Sequence, residues 1–313
     1  MREKSRGMLT ALFTVGMIVL IIEVATHLSH LVSEGALTGL LLAVKRVIPT
    51  SLPFMILSDL FIAYAAPEDI PLLPQVFKWI FSLPKRLFGA LVVGWVSGFP
   101  IGARIAADMY RRGEIEKGDA ERLAAFSSMP SPAFVIGVAG GILGGKEVGI
   151  LLLISLYIGT VLAAQLFRVK CATLQKTDIN IRQTFSFVES VKRAGIASVG
   201  IAAFISVFSI LSILARFFIP SDVVRLPLIT LLEVAGAIEF LGKNYAASPY
   251  IAVGLSALSL GFGGVSVACQ SSAFLKAEGL SVKPYILIRL CAGIFSALAA
   301  TILYILCGGW LGF

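Results

Sequence analysis

Three short stretches bring together residue types able to hold a charged or polar solute. Ser97-Gly98-Phe99-Pro100-Ile101-Gly102 lies in the middle of the apolar run 87–109. A break there ends one half-helix and begins another. The first N–H groups of that second half are unpaired and carry partial positive charge, a setting for an anion. Ser97 can cap it, Gly98 and Gly102 let the backbone come close, and Pro100 suits a first helical turn. Ser127-Ser128-Met129-Pro130-Ser131-Pro132 interrupts the next apolar run. Two prolines in three residues free carbonyls beside Ser127, Ser128 and Ser131. That makes a ligand or ion site, or a kink whose serines bond their own backbone. Gly261-Phe262-Gly263-Gly264 interrupts the run 249–276 and is followed by Ser266, Gln270, Ser271 and Ser272. Ser266 and Gln270 share one helix face, where with Gly263 and Gly264 they line a site or bond helix to helix.

The ionisable residues narrow the chemistry. Glu233 and Glu239 stand in the apolar stretch 224–243. Carboxylates at membrane depth are costly and act by default as proton carriers or ion partners. Glu233 has no Lys or Arg within a helical turn, whereas Glu239 has Lys243 four residues on, so Glu233 is the coupling candidate. Arg104 and Arg122 flank the far arm of the first interruption. An arginine fork matches a carboxylate, although Arg122 reads as a loop anchor. His27 and His30 form a lone HxxH without a third ligand, so no metal site is expected. The sequence holds no nucleophile–base set, phosphate loop or dinucleotide fingerprint. Neither enzymatic activity nor a cofactor is expected.

These residues must be positioned by membrane helices. The chain has 313 residues, of which 58% are hydrophobic and 14% charged, with net charge +8 and mean hydropathy +0.93. Such a composition excludes a soluble enzyme and a disordered chain. The apolar runs are continuous rather than alternating, which predicts spanning helices and not a barrel. No basic block is interleaved with aromatics, so nucleic acid is excluded as a partner. Cys171, Cys269, Cys291 and Cys307 form no CxxC pair and read as small hydrophobes.

The segments fall at about 8–28, 47–66, 87–109, 123–144, 148–167, 194–219, 224–243, 249–276 and 285–308. Four short matches recur in order: Val44-Lys45-Arg46 with Val191-Lys192-Arg193, Pro67-Glu68-Asp69 with Pro220-Ser221-Asp222, Gly98-Phe99 with Gly261-Phe262, and Arg122-Leu123 with Arg289-Leu290. They predict an uncleaved anchor helix (1–35), a first repeat (36–144), a connecting helix and cytoplasmic loop (145–179) and a second repeat (180–313). Broken segments at matching places in two halves mark secondary transporters. With the N-terminus inside and both interrupted segments returning to their side of entry, most of the 26 Lys and Arg lie on the inner face, as the positive-inside rule asks. The expected fold is therefore all-α and polytopic, with two inverted repeats that each carry a re-entrant helical hairpin. Whether 224–243 spans or lies at the interface stays open.

SGFPIGARIAADMYRRGEIEKGDAERLAAFSSMPSPAFVIGVAGG (97–141) and GFGGVSVACQSSAFLKAEGLSVKPYILIRLCAG (261–293) resemble the nucleoside-recognition, or Gate, domain family. They are more similar still to its sporulation integral membrane (YlbJ-like) branch. The resemblance covers most of the chain after the first helix. It implies transport and, through that branch, movement of dipicolinate across the outer forespore membrane of an endospore former. A more distant resemblance is to concentrative nucleoside transporters, whose two hairpin tips read Gly-Gln-Thr-Glu and Asn-Phe-Ser-Ser. The tips here, Gly98-Phe99-Pro100-Ile101 and Gly261-Phe262-Gly263-Gly264, lack groups that would bond base and ribose. A small organic anion is thus expected in the lipid bilayer, coupled to a proton or a sodium ion, with a homo-oligomer left open. A nucleoside or other metabolite carrier and a non-transporting sporulation assembly factor stand as alternatives.

Overall fold

The computed structural model describes residues 14–16, 23, 26–64, 72–168 and 186–307, and every regular element among them is helical. Most of the anchor helix, the Pro67-Glu68-Asp69 stretch, Cys171 and the loop around it lie outside the described residues. Helix α1 (Ser29–Leu42) passes through a π turn (Ala43–Val47) into α2 (Ile48–Tyr64). Pro49 and Pro53 withdraw two backbone donors here. The hydroxyls of Thr50 and Ser51 turn back onto the carbonyls of Arg46 and Val47 at 2.8–2.9 Å. Lys45 and Arg46 therefore sit inside a continuous helix, not in the outer loop that the hydropathy breaks suggested.

Next come α3 (Leu73–Phe81), α4 (Phe88–Ser97), α5 (Ile101–Arg111) and α6 (Lys117–Ser127). A π-helical segment (Phe134–Gly140, extended by Gly141–Leu143) leads to α7 (Lys146–Leu166). The second half holds α8 (Phe187–Phe218), α9 (Asp222–Leu232), α10 (Val234–Asn244), α11 (Pro249–Phe262), α12 (Gly264–Ala277) and α13 (Val282–Cys307). Five stretches are long and apolar enough to cross a bilayer: Ser29–Leu57, Lys146–Leu166, Phe187–Phe218, Pro249–Ala277 and Val282–Cys307. The protein is an all-α, multi-pass membrane protein.

Long-range bonds sort the chain ends of these helices into two sets. At one end of the molecule Arg86 donates to the Glu114 carbonyl (3.1 Å) and Lys117 to the Gly279 carbonyl (3.0 Å). The Glu121 carboxylate accepts from the Ser281 amide (2.7 Å), and Gln165 donates to the Ile80 carbonyl (2.7 Å). At the other end Arg216 lies over the Phe240 ring at 5.7 Å, and Gly242 abuts Ile142. The first end carries Lys85, Arg86, Arg111, Arg112, Lys117, Arg168, Lys276 and Lys283, and the second Lys146, Arg216, Arg225 and Lys243. By the positive-inside rule the first end is cytoplasmic.

This arrangement corrects the sequence expectation about the second interruption. Helices α4 and α5 do pack as a hairpin, with Arg86 and Glu114 closing its open end. The segment 249–277 does not turn back. Its arms α11 and α12 barely touch each other, and α11 runs antiparallel to α13, with Gly254 beside Thr301 and Gly261 beside Gly293. Pro249 therefore starts near the second end, while Ala277 finishes at the first, where Glu278 pairs with Arg111 at 3.7 Å. Glycine at 263 bends a crossing helix without reversing it. The second hairpin is α9–α10, the 224–243 stretch whose placement the sequence left open. Its open end is closed by Arg216 on Phe240, and its tip, at Glu233, reaches Gly264.

Element order also recurs at a spacing different from the short matches. Phe88, Arg111, Lys117, Ser127 and Lys146 bound elements whose counterparts are bounded by Asp222, Asn244, Pro249, Phe262 and Val282, each about 134 residues later. The pair Gly98-Phe99 and Gly261-Phe262 does not fall on equivalent positions in this order.

Small residues let the spans approach. A Cβ on Gly39 would lie 2.6 Å from the Ser206 Cα and 2.8 Å from the Ile205 carbonyl oxygen of α8, whereas Gly200 faces open space. Gly39→Leu should therefore prise α1 from α8 and destabilise the protein by about 1–3 kcal/mol. Gly200→Leu should leave the melting temperature in detergent unchanged.

Candidate functional site

Each interruption is a local solution to the same problem, backbone polar groups without helical partners. At the first, Gly98 takes φ +82°, and its amide donates to the Gly94 carbonyl (3.1 Å). Pro100 occupies the position before α5, whose first turn has no side-chain cap. Ser97 does not cap it, because its hydroxyl donates back to the Val93 carbonyl. At the second, the Ser131 hydroxyl accepts from the Phe134 amide (3.3 Å) and opens the π-helical segment. At the hairpin tip of α9–α10, Glu233 is extended (φ −150°, ψ 134°). Its carboxylate accepts from the amides of Ala235 (2.9 Å) and Gly236 (2.5 Å), capping α10 with both oxygens. At the fourth, Gly263 and Gly264 take φ +89° and +69°, and α12 begins with no side-chain cap.

The four breaks meet. A Cβ on Gly98 would touch the Ser131 amide, one on Gly264 the Leu232 carbonyl and Glu233 amide, and one on Gly263 the Phe99 ring. Between them lies a partly open cavity. Ser97, Gly98, Ser131, Glu233, Ser266 and Gln270 face it, together with Val47, Phe99, Phe134, Ile201 and Ile205. It is an apolar chamber with a few convergent polar groups, the usual make-up of a small-molecule site. The Gln270 amide donates to the Ser266 hydroxyl (3.4 Å). One residue further on, Ser271 pairs with Tyr285 of α13 (2.9 Å) and holds α12 in place.

Other expected site residues form the frame or lie elsewhere. A Cβ on Gly102 would sit 2.5 Å from the Ser127 carbonyl oxygen, so Gly102 exists for helix contact. The Ser127 hydroxyl donates to Leu123 (2.6 Å). Ser128 is buried with its hydroxyl unbonded, and neither serine lines the cavity. Arg104 is a correction: it is 38% exposed and pairs with Asp108 of its own helix at 3.8 Å, one turn along and outside the chamber. Arg122 pairs with Asp119 at 2.6 Å, on α6 near the cytoplasmic end.

One residue behind the chamber was missed. Arg289 of α13 is 0% exposed, and its guanidinium stands 5.9 Å from the centre of the Phe99 ring. A charged side chain at membrane depth costs about 2.5–3.5 kcal/mol on insertion scales. The signal was present, an arginine inside the run 285–308, but the segment boundaries made it look like a loop residue.

Comparison with known proteins agrees with this picture at the coarse level. No family model matches the chain, and no solved structure matches it significantly. The chain is 27% identical over 326 aligned positions, 90% of its own length and 80% of the relative's, to the sporulation integral membrane protein YlbJ of Bacillus subtilis. It is a multi-pass membrane protein related to a sporulation integral membrane protein.

Proposed function

We propose that the protein carries a small organic anion across the membrane by alternating access, with dipicolinate the first candidate. The observation that carries this is the convergence of four helix breaks on one chamber, two of them hairpin tips approaching from opposite ends of the molecule. Irregular backbone at membrane depth is tolerated where it lines a cavity, and broken helices at the midplane are how secondary transporters build their sites. On this account α4–α5 and α9–α10 are re-entrant hairpins of two inverted repeats. The first turns of α5 and α12 carry no side-chain cap, and the positive end of a helix suits an anion. The rings of Phe99 and Phe134 offer flat apolar faces. The first hairpin tip, Gly98-Phe99-Pro100-Ile101, carries no side chain that would bond a ribose. The YlbJ relative's association with sporulation supports dipicolinate within the anion class.

Glu233 is the coupling group in this scheme. Its carboxylate is in the chamber wall, 5% exposed, and carries a proton in one half of the cycle. Glu233→Gln keeps the shape but loses one acceptor for the α10 amides. It should lower stability by about 1 kcal/mol and make uptake independent of a proton gradient.

Reconstituted in liposomes, the protein should accumulate labelled dipicolinate in response to a proton or sodium gradient and leave uridine outside. Uptake of uridine in preference would replace the anion with a nucleoside. Inertness towards both, in sealed vesicles with correctly inserted protein, would favour a non-transporting assembly role.

A further inference from the structure

Arg289 is the largest fully buried side chain among the described residues, and its head is nearly unpaired. Nε and Nη1 have no hydrogen-bond partner, and Nη2 makes only a 3.5 Å contact with the Leu260 carbonyl. No ion pair reaches it among the described residues. Glu278 is engaged with Arg111 and Glu147 with Lys146, while Glu233 caps α10. Three more buried hydroxyls without partners, Ser256, Ser259 and Ser296, sit on the same two helices, α11 and α13. An anchor arginine this close to a helix end would stretch to the headgroups, but Arg289 stays fully buried, with an aromatic ring beside it.

That ring is Phe99, at the tip of the first hairpin. It lies against Gly263 and lines the chamber, and its ring centre stands 5.9 Å from the guanidinium carbon of Arg289, which does not itself line the chamber. We propose that Arg289 is the residue that receives a carboxylate of the transported anion, and that Phe99 swings off the guanidinium to let the two meet. The assignment rests on the carrier function proposed above and deepens it. The planar guanidinium, with Nε and Nη1 unpartnered and Nη2 held only by the long Leu260 contact, suits a planar carboxylate bound through paired hydrogen bonds. An aromatic acid adds a flat face for the displaced Phe99 ring. A neutral solute leaves the buried cation uncompensated, so charge rather than ring shape sets the specificity.

Ligand-dependent thermal stabilisation of the purified protein in detergent tests this, with dipicolinate, benzoate and the uncharged nicotinamide as probes. Wild-type protein should be stabilised by the two carboxylates and not by nicotinamide. Arg289→Met should melt no lower than wild type when empty, since it removes a buried charge that lacks a partner. It should also bind dipicolinate at least tenfold more weakly. Arg289→Lys keeps the charge without the fork and should fall between the two. Wild-type affinity for dipicolinate in Arg289→Met would overturn the assignment and leave the carrier function standing. A low-melting Arg289→Met protein, with Arg289→Lys binding as tightly as wild type, would reduce the side chain to packing. Wild-type protein indifferent to both carboxylates would overturn the anion-carrier function, and this site with it.

Discussion

Inside a bilayer every backbone N–H and C=O has to find its partner within the protein. That constraint governs this molecule wherever its helices stop short. Four times, at 98–100, 128–131, 233 and 263, the chain leaves helical geometry between elements. Each time a nearby group closes most of the gap: the Gly94 carbonyl, the Ser131 hydroxyl, the Glu233 carboxylate or the Ser259 carbonyl. The helix starts left without a side-chain cap, those of α5 and α12, lie around the same chamber as the capped start of α10. A fold that gathers its unfinished backbone in one place has prepared that place for a polar ligand.

Close approach makes the gathering possible. Gly102 lies against the Ser127 backbone, Gly261 against Gly293, and Gly159 against Ser296 and the Ala292 carbonyl. At each a side chain would push two helices apart, since packed interiors do not deform to accept extra atoms. The cytoplasmic end is tied further by Lys117 to Gly279, Glu121 to Ser281 and Arg111 to Glu278. These bonds join the α5–α6 connection to the α12–α13 turn. Through them the first hairpin and the broken span α11–α12 are held in register while Phe99 rests on Gly263.

Hydropathy made the long spans legible, because the cost of burying polar groups in hydrocarbon leaves its mark residue by residue. The breaks at 97–102 and 127–132 were equally readable, since glycine and proline announce the loss of helical bonds. Glu233 stood out as a charge in an apolar run. What glycine does not encode is direction. Gly98 sits where the chain doubles back and Gly263 where it carries on, and their local signatures are alike; the difference lies in what packs on each arm. The second hairpin was hidden for the opposite reason. Its tip is an extended glutamate that uses its own carboxylate as a cap, with neither glycine nor proline at the turn. Arg289 was obscured by its place near the start of a span, where a cation ordinarily reaches water. Only packing against α11 and Phe99 reveals that it does not.

Alternating access as proposed requires the two hairpins to enter from opposite faces and meet around one chamber. Single-cysteine variants of a protein in which Cys171, Cys269, Cys291 and Cys307 are replaced, probed in sealed oriented vesicles with a membrane-impermeant maleimide, test it directly. Cysteines at Gly113 and Gly279 should react only from the cytoplasmic side, and cysteines at Gly144 and Ser248 only from the other. Labelling of the 113 and 248 positions from one and the same side would contradict it.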